Sequence, residues 1–225
     1  NMTPTKFPTE QILIASILAT IGFLLIYMVY VSIKKSRAVL VNGVRDKSDN
    51  FLVVWTLLAS LLLHILFSYY IVGHKTDIGC FTSWGNKIFR NGFQNFYNPQ
   101  TNFPDYPPGY MLLCWITGGL MNAFGPYNTA VGQPGLLLVK LWPILFDLAG
   151  AALLYLYAKK RLGVFPALFL AILYALNPAV LVNGAAWGQA DSVLTFFLLI
   201  CCIFAMERKW QFALPVYVTA VLLKP

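Results

Sequence analysis

Two long runs without a charged side chain most strongly constrain what this sequence can fold into. Gln11–Ile33 holds 23 such residues and Phe51–Val72 holds 22. A helix of roughly 20 apolar residues crosses the hydrocarbon core of a bilayer, which is about 30 Å thick. Of all residues, 59% are hydrophobic and 11% are charged, whereas soluble domains carry about 25% charged residues. A soluble fold could not bury so much apolar surface, so we predict an integral membrane protein.

Four further segments are apolar enough to be predicted as membrane spans. They are Gly135–Ala158, Val164–Asn183, a stretch from about Asp191 to Met206, and Trp210–Leu223. The predicted fold is therefore an all-α integral membrane protein with about six transmembrane helices. Residues 1–50 are expected to form an extra amino-terminal helix and a basic cytoplasmic loop, and residues 51–225 one module with an outer loop at 73–134. Because the sequence stops soon after its last span, we expect this module to be the amino-terminal part of a longer one.

The net charge of +8 comes mainly from clusters of basic residues between predicted spans. Ten Lys and Arg residues form these clusters, at Lys34–Lys47, Lys159–Arg161 and Arg208–Lys209. Such residues orient membrane helices with their loops in the cytoplasm, so the charge does not indicate nucleic-acid binding. If Pro107–Phe124 does not span, all ten lie on one side, and if it spans they divide evenly. We therefore predict an interfacial or re-entrant helix at Pro107–Phe124, which places 73–134, 183–191 and Lys224 outside.

The predicted outer loop at 73–134 is long for a connection between two spans, and long ordered loops are often functional. Asp77 and Asp105 are its acidic residues. Asp77 follows the second span and could act as a general base at the membrane surface, or it could cap the aromatic helix expected at Phe81–Phe93. Two prolines soon after Asp105 hold the chain extended, so this carboxylate either positions a substrate or favours a helix start. The helix at Phe81–Phe93 is expected to lie in the interface plane.

A second polar segment, NGAAWGQADS, begins at Asn183 and carries Asp191 at the amino end of a predicted span. Asp191 suits a helix N-cap. Asn183, Trp187 and Gln189 add hydrogen-bond donors, an acceptor and an aromatic surface. The same segment therefore also suits sugar hydroxyls and ring faces.

Three ionisable side chains, His64, Lys140 and Asp147, lie inside predicted spans. Such groups are costly in a bilayer and usually face a protein interior or a cavity. Lys140 lies near the outer end of its span and could meet a lipid phosphate, whereas His64 and Asp147 are expected to be packing groups. The four cysteines have no metal-ligand spacing, and we predict no metal cofactor.

Several motifs follow one another between Val72 and Pro225. They are an acidic residue just after a span, an aromatic helix, DYPPGY, K-x-W-P-x(3)-D, NP-x(8)-WGQADS and LLKP. This order resembles the GT-C superfamily of polytopic glycosyltransferases, and most closely the bacterial relatives of the GPI-anchor mannosyltransferases. Such enzymes transfer a sugar from a polyprenyl-phosphate carrier to an acceptor outside the cytoplasm. They invert the anomeric centre and use an acidic residue of the first outer loop as base.

The resemblance implies a hexosyltransferase of glycan biosynthesis, most readily a mannosyltransferase, in a bacterial cell membrane with its site on the extracytoplasmic face. Its partners would be a polyprenyl-phosphate sugar donor, a glycan, lipid or protein acceptor, membrane lipid, and a carboxy-terminal half or partner subunit. Asp77 matches the catalytic base. The implied substrate-binding residues are His74, Lys75, Asp105, Tyr106, Lys140, Trp187, Gln189, Asp191 and Lys224. The IGCF segment after Asp77 lacks a second acid, so a paired-acid metal site is not expected.

Two other functional classes fit the sequence. A transporter or lipid-binding membrane protein would use Lys140 and Asp147 along a translocation path, although transporters favour polar groups near the midplane. A non-catalytic partner subunit would need no complete site.

Overall fold

Helices form every regular element in the part of the chain that the structure describes. The computed structural model describes residues 17, 20, 48–94, 96–98, 104–125 and 129–224. The helices are α1 (Ser48–Tyr70), α2 (Lys75–Asn91), α3 (Pro108–Phe124), α4 (Pro134–Val139), α5 (Leu141–Leu162), α6 (Val164–Ala175), α7 (Pro178–Val180), a π-helical turn (Leu181–Trp187), α8 (Asp191–Met206) and α9 (Trp210–Leu223). The predicted all-α class is confirmed for these residues.

Three helical segments among the described residues are long and apolar enough to cross a membrane. They are Phe51–Tyr70, Leu141–Leu162 and Val164–Trp187. The predicted spans Asp191–Met206 and Trp210–Leu223 are helices of 16 and 14 residues. At 1.5 Å per residue these reach only about 24 and 21 Å, less than the hydrocarbon thickness of about 30 Å. The predicted span Gln11–Ile33 lies outside the described residues, so six spans stay a prediction.

Proline explains why the predicted span Gly135–Ala158 is divided in two. The helix stops at Val139 and restarts at Leu141, and Lys140 between them has φ −91° and ψ 6°. Pro143 lacks an N–H group, and its ring would clash with the carbonyl of residue 139 in a continuous α-helix. Lys140 therefore lies between α4 and α5 and not within one continuous helix.

The helices predicted at Phe81–Phe93 and Pro107–Phe124 correspond to α2 and α3, but α2 begins earlier than predicted, at Lys75, so that Asp77 lies within it. Pro108 begins α3, and Gly125 ends it with a left-handed backbone. On α2 a stripe of residues at helical spacing is buried, namely Ile78, Phe81, Trp84, Gly85 and Ile88. The two helices pack closely, because Gly118 has no side chain where its Cβ would overlap the carbonyl of Gly85. The position of both helices relative to a bilayer stays a prediction.

The chain divides into two compact units. One comprises the described residues up to Ser60 together with Ala151–Val182, and the other comprises Leu61–Gly150 together with the described residues from Asn183 onward. In the first unit, the Ser60 hydroxyl donates to the carbonyl of Ala175 at 2.8 Å, where α6 ends. Every candidate site residue belongs to the second unit.

Candidate functional site

The carboxylate of Asp77 is the centre of the site. It lies in the first turn of α2, where Oδ1 is 3.2 Å from Nδ1 of His74. Its other oxygen, Oδ2, accepts hydrogen bonds from Trp187 Nε1 at 3.1 Å and from Gln189 Nε2. The side chain keeps 24% of its surface exposed. Neighbouring His74 and two donors from the distant WGQADS segment therefore fix a carboxylate that water or a substrate can still reach.

The segment before α2 runs along the backbone of the WGQADS segment. The His74 amide donates to the Trp187 carbonyl at 3.2 Å, and the two rings stack with centroids 5.5 Å apart. Gly73 makes this approach possible, because it has φ +87° and a Cβ there would overlap the carbonyl of Trp187. A glycine is needed both for the backbone conformation and for the space.

Gln189 connects Asp77 to the rest of the site. Its Oε1 accepts from the Tyr106 hydroxyl at 3.0 Å and from Lys224 Nζ at 3.2 Å. Lysine only donates hydrogen bonds and an ionised carboxylate only accepts them. The amide oxygen of Gln189 must therefore face Lys224, and its NH₂ group must face Asp77.

A second carboxylate, Asp191, lies beside this centre at the start of α8. Lys224 Nζ donates to its Oδ1, and Asn183 Nδ2 donates to its Oδ2 at 2.8 Å. Partial burial opposes ionisation of Asp191, but the hydrogen bonds from Lys224 and Asn183 outweigh it and lower the pKa of the carboxyl. Asp191 therefore anchors the Lys224 ammonium, which also contacts Gln189.

Aromatic rings form the wall behind Gln189. The Tyr106 ring contacts Phe81, Trp84 and Tyr110 with centroids 5.4, 5.9 and 5.0 Å away, and Lys224 Nζ lies 5.6 Å from its centroid. Burial, and then the nearby carboxylates, raise the pKa of Tyr106 well above its usual value. Its hydroxyl therefore stays protonated and can donate to Gln189.

Sequence reasoning missed three members of this wall. The helix at Phe81–Phe93 was predicted without a partner for its apolar stripe, and Phe81 and Trp84 of this stripe are buried against Tyr106. Tyr110, which is also buried, follows Tyr106 by four residues at the entry to α3. Tyr106 itself precedes α3, so helical spacing does not relate the two residues, and the signal in the sequence is the DYPPGY motif that holds both tyrosines.

The predicted site residues do not all meet. His74, Asp77, Tyr106, Trp187, Gln189, Asp191 and Lys224 form the connected group described above. Lys75 and Asp105 are exposed and take no part in those hydrogen bonds. Lys140 is fully buried, and its ammonium contacts three backbone carbonyls. That burial argues against the predicted contact with a lipid phosphate.

No group of three or more His, Cys, Asp or Glu side chains within the described ranges could hold a metal ion. Comparison of the chain with protein-family models, with curated proteins and with solved structures found no significant match. Membership of the GT-C superfamily and the absence of a metal cofactor therefore stay predictions.

Proposed function

We propose that this protein is a membrane glycosyltransferase that transfers a hexose, most readily mannose, from a polyprenyl-phosphate donor to an acceptor hydroxyl. The reaction would take place on the extracytoplasmic face and would invert the anomeric centre. One observation carries the proposal. The separate motifs of the predicted site, from Asp77 through Tyr106 and the WGQADS segment to Lys224, meet in a single hydrogen-bonded group around a partly exposed carboxylate.

Asp77 is suited to the role of general base. An ionised carboxylate has about four lone-pair positions for hydrogen bonds, and the contacts with His74, Trp187 and Gln189 occupy three of them. The remaining position, on Oδ1, can accept the proton of an acceptor hydroxyl. As that proton moves to Asp77, the hydroxyl oxygen bonds to the anomeric carbon and the bond from this carbon to the phosphate oxygen breaks. Polyprenyl phosphate leaves with the bonding electron pair.

The surroundings of Asp77 supply the other groups that the reaction needs. Trp187 is 40% exposed, and its ring, stacked with His74, offers a flat surface to a sugar. Two of the three N–H groups of Lys224 are directed at Gln189 and Asp191. The third can donate to a phosphate oxygen, where a fixed cation stabilises the charge that develops on the leaving group.

The decisive experiment measures transfer of labelled mannose from a synthetic polyprenyl-phosphate donor. Asp77→Asn keeps the size of the side chain but removes the base, so we expect the turnover number to fall by about 10²–10⁴-fold. Glu207→Gln is the control, since Glu207 pairs with Lys209 and is not a predicted site residue, so we expect it to leave turnover unchanged. Equal turnover in wild type and Asp77→Asn would reject Asp77 as the base.

One observation favours the alternative of a membrane transporter. His64 Nε2 and Asp147 Oδ2 lie 3.3 Å apart, and both side chains are almost completely buried within apolar helices. Ionisable pairs at such depth often mark transport pathways. Absence of transfer from every polyprenyl-phosphate sugar, together with solute flux in proteoliposomes that Asp147→Asn abolishes, would favour that function.

A further inference from the structure

Lys140 is a buried cation whose hydrogen-bonding capacity is fully used. Its Nζ donates to the carbonyls of Ile71, Ala185 and Ala186 at 2.7, 2.8 and 2.9 Å. An ammonium has three N–H groups, so none remains for a phosphate or a sugar. The residue is completely inaccessible to solvent. The role of Lys140 therefore depends on the chain segments that carry these three carbonyls.

Ala185 and Ala186 lie at the end of the π-helical turn, where backbone donors run out. The amides of Gly188 and Gln189 both bond to the carbonyl of Asn183, at 3.1 and 3.0 Å. In a continuing α-helix the Gln189 amide would instead pair with Ala185. Carbonyls at a helix end need other donors, and a positive charge there also interacts favourably with the helix dipole. Lys140 meets both requirements, and the Ser68 hydroxyl also donates to the Ala185 carbonyl, at 3.1 Å.

Ile71 belongs to the other side of the same arrangement. It follows directly after α1 and precedes the segment that leads through Gly73 to His74 and α2. The Lys140 ammonium thus joins the end of α1 to the end of the π-helical turn. A buried cation is unfavourable unless its hydrogen bonds are well made. The three carbonyls supply the hydrogen bonds of the Lys140 ammonium.

The segments that follow α1 and the π-helical turn lead directly into the site. Three residues after Ile71 stands His74, and one residue after Ala186 stands Trp187. We propose that Lys140 is a positioning residue that holds the segment before α2 against the end of the π-helical turn, and so sets the His74–Trp187 stack beside Asp77. The lysine stem packs on this turn as well, since a Cβ at Gly188 would lie 3.1 Å from Lys140 Cε.

The His74–Trp187 stack gives a direct spectroscopic measurement of this role. The chain has two histidines, so histidine labelled with ¹³C at Cε1 alone gives two signals in nuclear magnetic resonance of the detergent-solubilised protein. Trp187 displaces the His74 signal through its ring current, and Trp187→Ala defines the unstacked position. The chemical shift of His74 is measured in each variant at high pH, where it no longer changes with pH, so that protonation does not contribute to the difference. The His64 signal serves as the internal reference.

Lys140→Met removes all three donors at similar side-chain volume. We expect the His74 signal to move to the position seen in Trp187→Ala. Lys140→Arg keeps the charge, but a planar guanidinium does not match the three directions that an ammonium serves, so the signal should move part of the way. A wild-type His74 position in whichever of these variants folds would overturn the proposal.

Leu136→Ala tests whether general destabilisation of this region, without loss of the ammonium, is enough to displace the His74 signal. Leu136 is fully buried one turn before Lys140, and Leu136→Ala should lower the midpoint of thermal unfolding without removing a donor from the three carbonyls. We expect its His74 signal to stay at the wild-type position, and displacement equal to that of Lys140→Met would reject a specific role for the ammonium. The measurement needs no substrate, so its outcome is independent of the proposed transferase activity.

Discussion

Replacing Lys224 by methionine tests the charged part of the site. The change removes the ion pair with Asp191, the hydrogen bond to Gln189 at 3.2 Å and the cation beside the Tyr106 ring. Methionine keeps a long apolar side chain, so packing along the aliphatic part of the lysine is largely retained. The loss can therefore be attributed to the ammonium.

Exposure decides how large the effect should be. The side chains of Lys224 and Asp191 are 20% and 42% exposed. Ion pairs on the surface contribute about 0.2–1 kcal/mol, and hydrogen bonds to charged groups about 1.5–3 kcal/mol. Since water reaches both partners, we expect a loss of about 1–2 kcal/mol in the free energy of unfolding. At about 2–4 °C for each kcal/mol in a chain of this size, the unfolding midpoint should fall by about 2–8 °C.

The effect of Lys224→Met should depend on pH in a defined direction. Burial alone would raise the pKa of Asp191, but its hydrogen bonds to Lys224 and Asn183 leave it lowered. A carboxyl with a lowered pKa in the folded state contributes stability above its unfolded pKa, which is about 3.9. That contribution disappears as the pH falls through the folded pKa. The difference between wild type and variant should therefore be full at neutral pH and shrink below about pH 4.

Thermal unfolding in detergent across pH 3–7.5 measures this difference. Lys209→Met is the matched control, because Lys209 pairs with Glu207 at 2.6 Å outside the site and is half exposed. We expect the control to shift the midpoint by no more than about 2 °C. A shift of Lys224→Met no larger than that of the control at neutral pH would refute the reasoning. So would a difference that persists unchanged at pH 3.

Two further substitutions test other parts of the site. Gly73→Ala makes a Cβ overlap the carbonyl of Trp187, at a residue with φ +87°. We expect the free energy of unfolding, measured by thermal unfolding, to fall by at least about 2 kcal/mol. The ring-current displacement of the His74 signal should also be lost. Tyr106→Phe keeps the aromatic contacts but removes the hydrogen bond to Gln189 at 3.0 Å. Its unfolding free energy should fall by only about 0.5–1.5 kcal/mol, and a loss above about 3 kcal/mol would show that the hydroxyl has another role.

Much of the secondary structure could be predicted from the sequence because helix formation depends on neighbouring residues. The apolar run after Phe51 forms α1, and the proline-led segment at Pro108 forms α3. The break at Lys140 was missed, although Pro143 three residues later is a local signal for it. The bounds of the last two apolar segments, Asp191–Met206 and Trp210–Leu223, agree with the helices of the structure, whereas their crossing of a bilayer stays a prediction.

Residues of the candidate site could be predicted where a local motif marks them, but not where their position depends on helix packing. Asp77, Gln189 and Lys224 stand in distinctive motifs of polar residues at the ends of apolar segments, and such positions can be recognised along the chain. Trp84 looked like any apolar residue on an amphipathic helix. Its place behind Tyr106 depends on how α2 packs against α3, which involves residues more than 20 positions apart.

The amino-acid sequence by itself determined that the chain is helical, that it carries membrane-length apolar segments, and which polar motifs lie at their ends. These properties follow from composition and from spacing over a few residues. Only the tertiary structure decided which motifs meet around Asp77, which way the amide of Gln189 faces, and that Lys140 is buried with its ammonium on backbone carbonyls. The partners of Lys140 are backbone carbonyls, a group that all residues share, so the residue types in the sequence could not identify them.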